Sequence, residues 1–270
     1  MQPEEARPRL AALGFRPVDV ETLAAHFLDA ERRGSLGHGL SRIEWLESWE
    51  TLPVDVRPER VVAEPGYELW DGHDGLGYLT LAAAVDAQLA DPPPHARLVV
   101  CTRTFPTGAL GYWVGRLADN GLAAVLTATS PRRLPSPAGG PPLAGTNPLA
   151  IAIPSSDGPP VVADVSMGAV TYGDVLAGAA RPEELVPFGG EQAHKAFALA
   201  IGLQLLVDAL VPHDGHGAVL LVARPESDPV PALRALADGV RLPATGGLRC
   251  VSGRGGWMCA CKVASTATSG

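Results

Sequence analysis

Between residues 18 and 31 apolar side chains return every three or four positions, at Val20, Leu23, Ala24, Phe27 and Leu28, which predicts an amphipathic helix ending near Gly34. A second helix follows over residues 41–49, with Ile43, Leu46 and Trp49 on one face. An extended, proline-marked stretch around residues 61–70 leads through an Asp71-Gly72 turn into a helix over 79–90. The short apolar run 97–102 is a strand, 109–120 a helix and 122–129 another strand, so the centre of the chain alternates as an α/β layer does. Residues 131–142 form a loop rich in proline, serine and glycine. Residues 149–153 and 161–165 then predict an antiparallel pair turning at Asp157-Gly158. Apolar content over 196–210 predicts a buried helix, and 218–223 a buried strand. No periodicity follows Gly246, and residues 263–270 are expected to be disordered. The chain thus divides into a helical region 1–70, an α/β sheet domain 71–245 and an irregular tail 246–270.

With 270 residues, 46% of them hydrophobic and 19% charged, the chain can bury a substantial core. Its 31 glycines and 26 prolines fit many turns rather than disorder. A formal charge of −8 provides no basic field for phosphate backbones, so nucleic acid is not an expected partner. The N-terminus carries acidic residues and no apolar stretch, unlike a secretory signal, and the longest apolar runs fall short of the roughly 20 residues of a membrane span. No membrane partner and a cytoplasmic location are expected. Four cysteines, at 101, 250, 259 and 261, include only one close pair, Cys259 and Cys261, without the further ligands tetrahedral zinc needs. No metal is expected.

Just past the first helix lies Leu36-Gly37-His38-Gly39-Leu40-Ser41-Arg42, which places an imidazole and a guanidinium one helical turn apart. Histidine exchanges a proton near neutrality, and arginine grips a carboxylate with parallel hydrogen bonds. Reduction of a 2-oxo or cyclic 2-imino acid needs such a proton donor and such a cation, together with a hydride source. No strand-linked GxGxxG opens a helix here, since Gly75-Leu76-Gly77 lacks the third glycine and the acidic partner of a Rossmann fingerprint.

Two later segments complete a pattern: Gly145-Thr146-Asn147-Pro148, and Pro187-Phe188-Gly189-Gly190 followed by His194-Lys195. Between them and the first motif stand Asp71-Gly72-His73-Asp74-Gly75-Leu76-Gly77, Gly108-Ala109-Leu110-Gly111-Tyr112, Asp164 and Gly173-Asp174. In this order the segments resemble the malate/L-lactate dehydrogenase family, with its sulfolactate and ureidoglycolate dehydrogenases and cyclic imino acid reductases, over about residues 8–243. The resemblance implies a non-Rossmann α/β fold with a largely antiparallel central sheet flanked by helices. It also implies an NADPH- or NADH-dependent reductase of a small carboxylate substrate, working as a homodimer. His38 matches the family's proton donor, and Asp174 the aspartate that orients it. Arg42 and Thr146 match substrate contacts. Thr107, Gly108, Asp164, Ser166, His194, Lys195 and Arg224 fall on cofactor-contacting segments.

Plainer roles stand beside these. Asp174 equally suits a cap for a short helix starting at Val175, Thr146-Asn147 a simple turn, and Arg224 an ordinary surface position. Lys195 at a helix start opposes the helix dipole unless an anion is near. Against the family pattern, Gly37 replaces a relay serine and Pro106 a histidine, and Ser166-Met167-Gly168 replaces Ala-Thr-Ser. Tyr172-Gly173 replaces Arg-Gly, the stretch from Asp174 to Pro187 is short, and Ala196-Phe197-Ala198 stands where glycines are usual. Most of these departures fall on the cofactor side. They leave two rivals to a reductase: a redox-neutral tautomerase, cyclase or lyase on the same scaffold, and a non-catalytic binding paralogue.

Overall fold

The apolar stripe of the first long helix decides how the N-terminal third packs. In the computed structural model, which describes residues 1–212, 215–237, 240, 242–243, 250–253 and 256–259, α1 spans Ala6–Ala12 and α2 Pro17–Arg32. Pro17 opens α2, where a missing N–H costs nothing. Leu23 and Phe27 of the stripe are fully buried. A 3-10 turn over Leu36–His38 leads into α3, Ser41–Glu47. Then come β1 (Glu59–Glu64), β2 (Tyr67–Asp71), α4 (Gly77–Ala90), β3 (Ala96–Thr102), α5 (Leu110–Ala118), β4 (Ala123–Ala128), β5 (Leu149–Ile153) and β6 (Val161–Val165). The chain continues through α6 (Tyr172–Leu176), α7 (Ala193–Leu210), β7 (Ala218–Ala223) and α8 (Val230–Leu236).

Seven strands form one mixed sheet in the order β1-β2-β3-β7-β4-β5-β6, and only the β2/β3 pairing is parallel. The late strand β7 enters at the centre, where alternate residues Ala218, Leu220 and Val222 join the main core with α4 and α5. That core also takes in α1, α2 and α3, so the N-terminal helices and the sheet share one hydrophobic interior. The register collects one set of strand termini at one end of the sheet. Cys101 and Ala128 both pair with Ala218, Thr127 with Leu149, and Leu149 with Val165. The segments that leave β3, β4 and β6 and enter β5 therefore meet there.

Three expectations change. The stretch 61–70 is a hairpin, β1/β2, so the sheet begins inside the region expected to be helical. The helix over 196–210 is not buried: α7 turns Ala196, Ala200, Gln204 and Val207 inward but leaves Leu199, Leu205 and Leu206 exposed. The stretch Gly190–Leu210 is also long and apolar enough, by length and composition, to cross a membrane, although no unbroken apolar run within it reaches that length. Its polar break, Gln204, is instead hydrogen-bonded to Asn147 and Asp208 within the fold. Thirdly, Cys250–Gly253 and Gly256–Cys259 pair as a hairpin where no periodicity was evident. Residues 263–270 and Cys261 lie outside the described residues.

At the end of the sheet away from these converging loops, Glu68 accepts from Trp70 Nε1 at 2.8 Å and Gln88 Nε2 at 2.9 Å, and faces Arg97 at 3.4 Å. Both charged side chains are almost fully buried. Glu68→Gln would leave Arg97 with less compensation, and we expect a loss of about 2 kcal/mol in urea unfolding. An unchanged midpoint would show that Gln88 and Asp91 suffice for Arg97.

Candidate functional site

At the converging end of the sheet lies a cavity of about 270 Å³ lined by His38, Arg42, Thr107, Gly108, Thr146 and Ser166 among others. Aromatic walls come from Trp45, Tyr78, Phe105 and Tyr172. A second cavity of about 470 Å³ adjoins it and shares Ser35, Ala109, Asp164, Ser166 and Thr171 with it, so the two form one elongated cleft.

Arg42 is held before any ligand arrives. Its Nε donates to the Gly37 carbonyl at 2.6 Å, and its guanidinium lies over the Trp45 ring, 4.9 Å from the centroid. The side chain is buried, and among the described residues no carboxylate pairs with it directly, although Asp174 acts on it through its field. His38 is partly exposed on the cavity wall, and its pKa is lowered to about 4, first by desolvation and then by the Arg42 cation, against the opposing pull of Asp174. In the empty cavity its imidazole is therefore neutral at pH 7.

Asp174 does not reach His38. Thr171 caps α6, and Asp174 at the third helical position completes a capping box, its Oδ2 accepting from Thr171 N at 3.0 Å and Thr171 Oγ1 at 2.9 Å. The carboxylate acts on His38 through its field. Gly37 explains the crowding: a Cβ there would lie 2.6 Å from both Asp174 N and Oδ1, and a Cβ on Gly173 would strike the Gly37 carbonyl and the Arg42 guanidinium. Two bare backbones cross here, and a serine at 37 has no room.

The Gly-Thr-Asn-Pro turn serves two ends. Asn147, fully buried, donates to Ala200 O and Gln204 Oε1, both at 3.0 Å, and accepts from Ser130 N at 3.3 Å, which pins the turn to α7 and frees Thr146 to line the cavity. Asp164 caps α5, its Oδ2 accepting from Gly111 N at 2.7 Å. It is open to the cleft but crowded by protein, and that desolvation raises its pKa despite the hydrogen bond. Ser166 Oγ accepts from Gly168 N at 3.2 Å.

Sequence reasoning passed over Arg133, Tyr78 and His26. His26 completes the buried face of α2 with Leu23, Phe27 and Ala30, so its spacing was a visible signal. Its Nε2 accepts from Ala109 N at 3.1 Å, and burial followed by the nearby His38 drives its pKa down to about 3. It lies so close to Gly108, at φ +74°, that any Cβ there would collide with the ring. A neutral histidine thus shapes the Thr107–Ala109 wall from behind.

His194 and Lys195 are exposed on the first turn of α7 and do not line the cleft. Arg224 follows Ala223, which pairs with Ala96 and Ala123 at the opposite end of the sheet. Six residues of strand put it about 20 Å from the cavity end. Thr107, Gly108, Asp164 and Ser166, expected at the cofactor, line the cleft. The cations expected at the phosphates are not brought to it.

A family model described as malate/L-lactate dehydrogenase matches residues 4–189. That match ends before His194, Lys195 and Arg224, the residues that stand away from the cleft. The chain is 31% identical over 193 residues to the (2R)-3-sulfolactate dehydrogenase (NADP(+)) of Chromohalobacter salexigens, covering 67% of this chain and 55% of that one. It is 30% identical over 214 residues to the Delta(1)-pyrroline-2-carboxylate/Delta(1)-piperideine-2-carboxylate reductase of Pseudomonas syringae pv. tomato, covering 75% and 60%. The matches thus span little more than half the length of these relatives. Among solved structures, the delta1-piperideine-2-carboxylate reductase of that Pseudomonas superposes with a TM-score of 0.76 at 23% identity, covering 89% of this chain and 88% of that one. Malate dehydrogenase from Entamoeba histolytica gives 0.77 at 18%, covering 89% and 84%.

Proposed function

The chain belongs to the malate/L-lactate dehydrogenase family, and on that premise we propose that it is a nicotinamide-dependent reductase of a small 2-oxo acid or cyclic 2-imino acid. The observation that carries this is the meeting of His38, Arg42 and Thr146 on one aromatic-walled cavity. Arg42 and the Thr146 hydroxyl hold the substrate carboxylate, which sets the C2 carbonyl or imine beside His38. A bound NADPH or NADH supplies the hydride to C2. A ring nitrogen of His38 gives its proton to the oxygen or nitrogen as the charge develops, leaving a 2-hydroxy or 2-amino acid. Binding itself prepares the donor. An anionic carboxylate on Arg42 offsets the cation that, after desolvation, depresses His38, so binding shifts the imidazole toward its protonated form. Trp45, Tyr78 and Phe105 restrict water around that exchange.

A specific observation supports a second, redox-neutral reading: Pro106 lines the cavity at the position of a family histidine, and Lys195 and Arg224 stand away from it. Nicotinamide fluorescence during titration of the protein into NADPH and then NADH separates the two. Saturable enhancement is expected for one of them. Silence at millimolar cofactor, confirmed by calorimetry, would remove the reductase reading and leave proton transfer at His38.

A further inference from the structure

Tyr78 stands on the first turn of α4 and lines the cavity with only 1% of its surface exposed. Its ring is packed from behind: His26 meets it at 5.1 Å and Phe27 at 5.2 Å, both edge to face, and a Cβ on Gly108 would lie 2.5 Å from its Cε1. Such packing pins the ring and fixes where its oxygen lies. Among the described residues that hydroxyl hydrogen-bonds to nothing, yet it is not sealed away as His26 Nδ1 and Thr102 Oγ1 are, so it opens into the cavity. Of the acidic groups that act on Arg42, Tyr78 comes before Asp174 and Tyr172, which makes phenol and guanidinium neighbours. Burial pushes the phenol pKa up to about 12, so at neutral pH it keeps its proton and can donate. A buried phenol without a partner costs stability that a phenylalanine would not, and an acceptor arriving in the cavity removes that cost.

We propose that Tyr78 is a further catalytic residue, whose hydroxyl donates a hydrogen bond to the C2 carbonyl oxygen of a bound 2-oxo acid. The role in turnover rests on the reductase reading; the contact itself needs no cofactor. With the carboxylate on Arg42 and Thr146, the carbonyl oxygen has two lone pairs to satisfy, and His38 meets one. As hydride adds to C2, the electron pair of the carbonyl π bond moves onto the oxygen, which takes its proton from His38. Tyr78 keeps its own proton and stabilises the charge while it builds, and a donor already pinned by His26 and Phe27 needs no reorganisation to do so. The arrangement suits a carbonyl rather than an imine, whose nitrogen has a single pair and spends it on the proton from His38.

The test is Tyr78→Phe, which removes one oxygen and keeps the ring. No protein partner is lost, so its melting temperature should equal or exceed that of the wild type, whereas a structural hydroxyl would lower it. For 2-oxo acid reduction kcat should fall about 100-fold and KM change by less than about threefold, because the bond strengthens as charge develops. Infrared difference spectra of bound pyruvate, taken without cofactor, should show the C2 carbonyl stretch at lower frequency in the wild type and back toward its free value in the variant. An unaltered kcat, a loss confined to KM, a lowered melting temperature or a wild-type carbonyl band that does not move on addition of protein would overturn the proposal. A band shift that depends on Tyr78 in a protein that binds no nicotinamide would sink the reductase reading and keep the contact. Nicotinamide-dependent turnover indifferent to Tyr78 would do the reverse.

Discussion

His38→Gln should reduce kcat for the preferred substrate by about 10²- to 10⁴-fold, the usual worth of a positioned general acid, with little change in substrate affinity. Glutamine keeps a polar group of similar reach on the cavity wall but cannot release a proton. The oxidation of a 2-hydroxy acid should show the same residue from its other side. With a free-protein pKa of about 4, His38 is a ready base at neutral pH, and kcat/KM for oxidation should fall as pH drops through that value. The sign for stability is related. A histidine whose folded pKa lies below its unfolded value of about 6.5 favours the unfolded state as protons are added, so His38 and the still lower His26 cost stability as pH falls below that unfolded value. Full activity in His38→Gln would remove the imidazole from the chemistry and assign the proton to another group on the cavity wall.

How much of this was legible follows from the range of each signal. The strands Leu149–Ile153 and Val161–Val165 fell where two short apolar runs and an Asp-Gly turn placed them, because both signals are local. His38 and Arg42 were legible for the same reason, standing one helical turn apart. The exposed face of α7 was not, since an all-round apolar helix reads the same whether sheet, solvent or another surface covers it. The hairpin of β1 and β2 was hidden by the prolines around it. Arg133 reaches the cavity from the loop after β4 and Tyr78 from the first turn of α4, after β2, and nothing near either residue in the sequence announces that the fold brings these two segments together.

Gly37 shows where matching residues one by one misleads. Seen along the chain, it is a lost serine contact. In the fold, its missing side chain is the space that Asp174 and Gly173 occupy. The lost relay serine and the retained glycine before the aspartate then serve one contact, in which α6 closes onto the 3-10 turn and Asp174 turns its carboxylate to Thr171. The same closure sets the Arg42 guanidinium against Gly173, so the carboxylate anchor depends on a backbone contact rather than on an acidic partner.

Arg42→Gln is accordingly expected to act twice. Losing the guanidinium that grips the substrate carboxylate should raise KM by about 30- to 1,000-fold, the range for a charged partner removed from a buried pair. It should also raise the pKa of His38, because the cation beside the ring is the second cause of its depression after desolvation. The acid limb of the oxidation profile, near pH 4 in the unaltered protein, should therefore move upward, though short of 6.5, since burial remains. The two effects separate experimentally: KM reports the lost grip, and the limb of kcat/KM reports the free imidazole. A raised KM with an unmoved limb would mean that Arg42 binds substrate but does not tune the proton donor. A moved limb with unchanged KM would place the carboxylate on Thr146 and Arg133 instead, and would reverse the orientation of the substrate in the cavity.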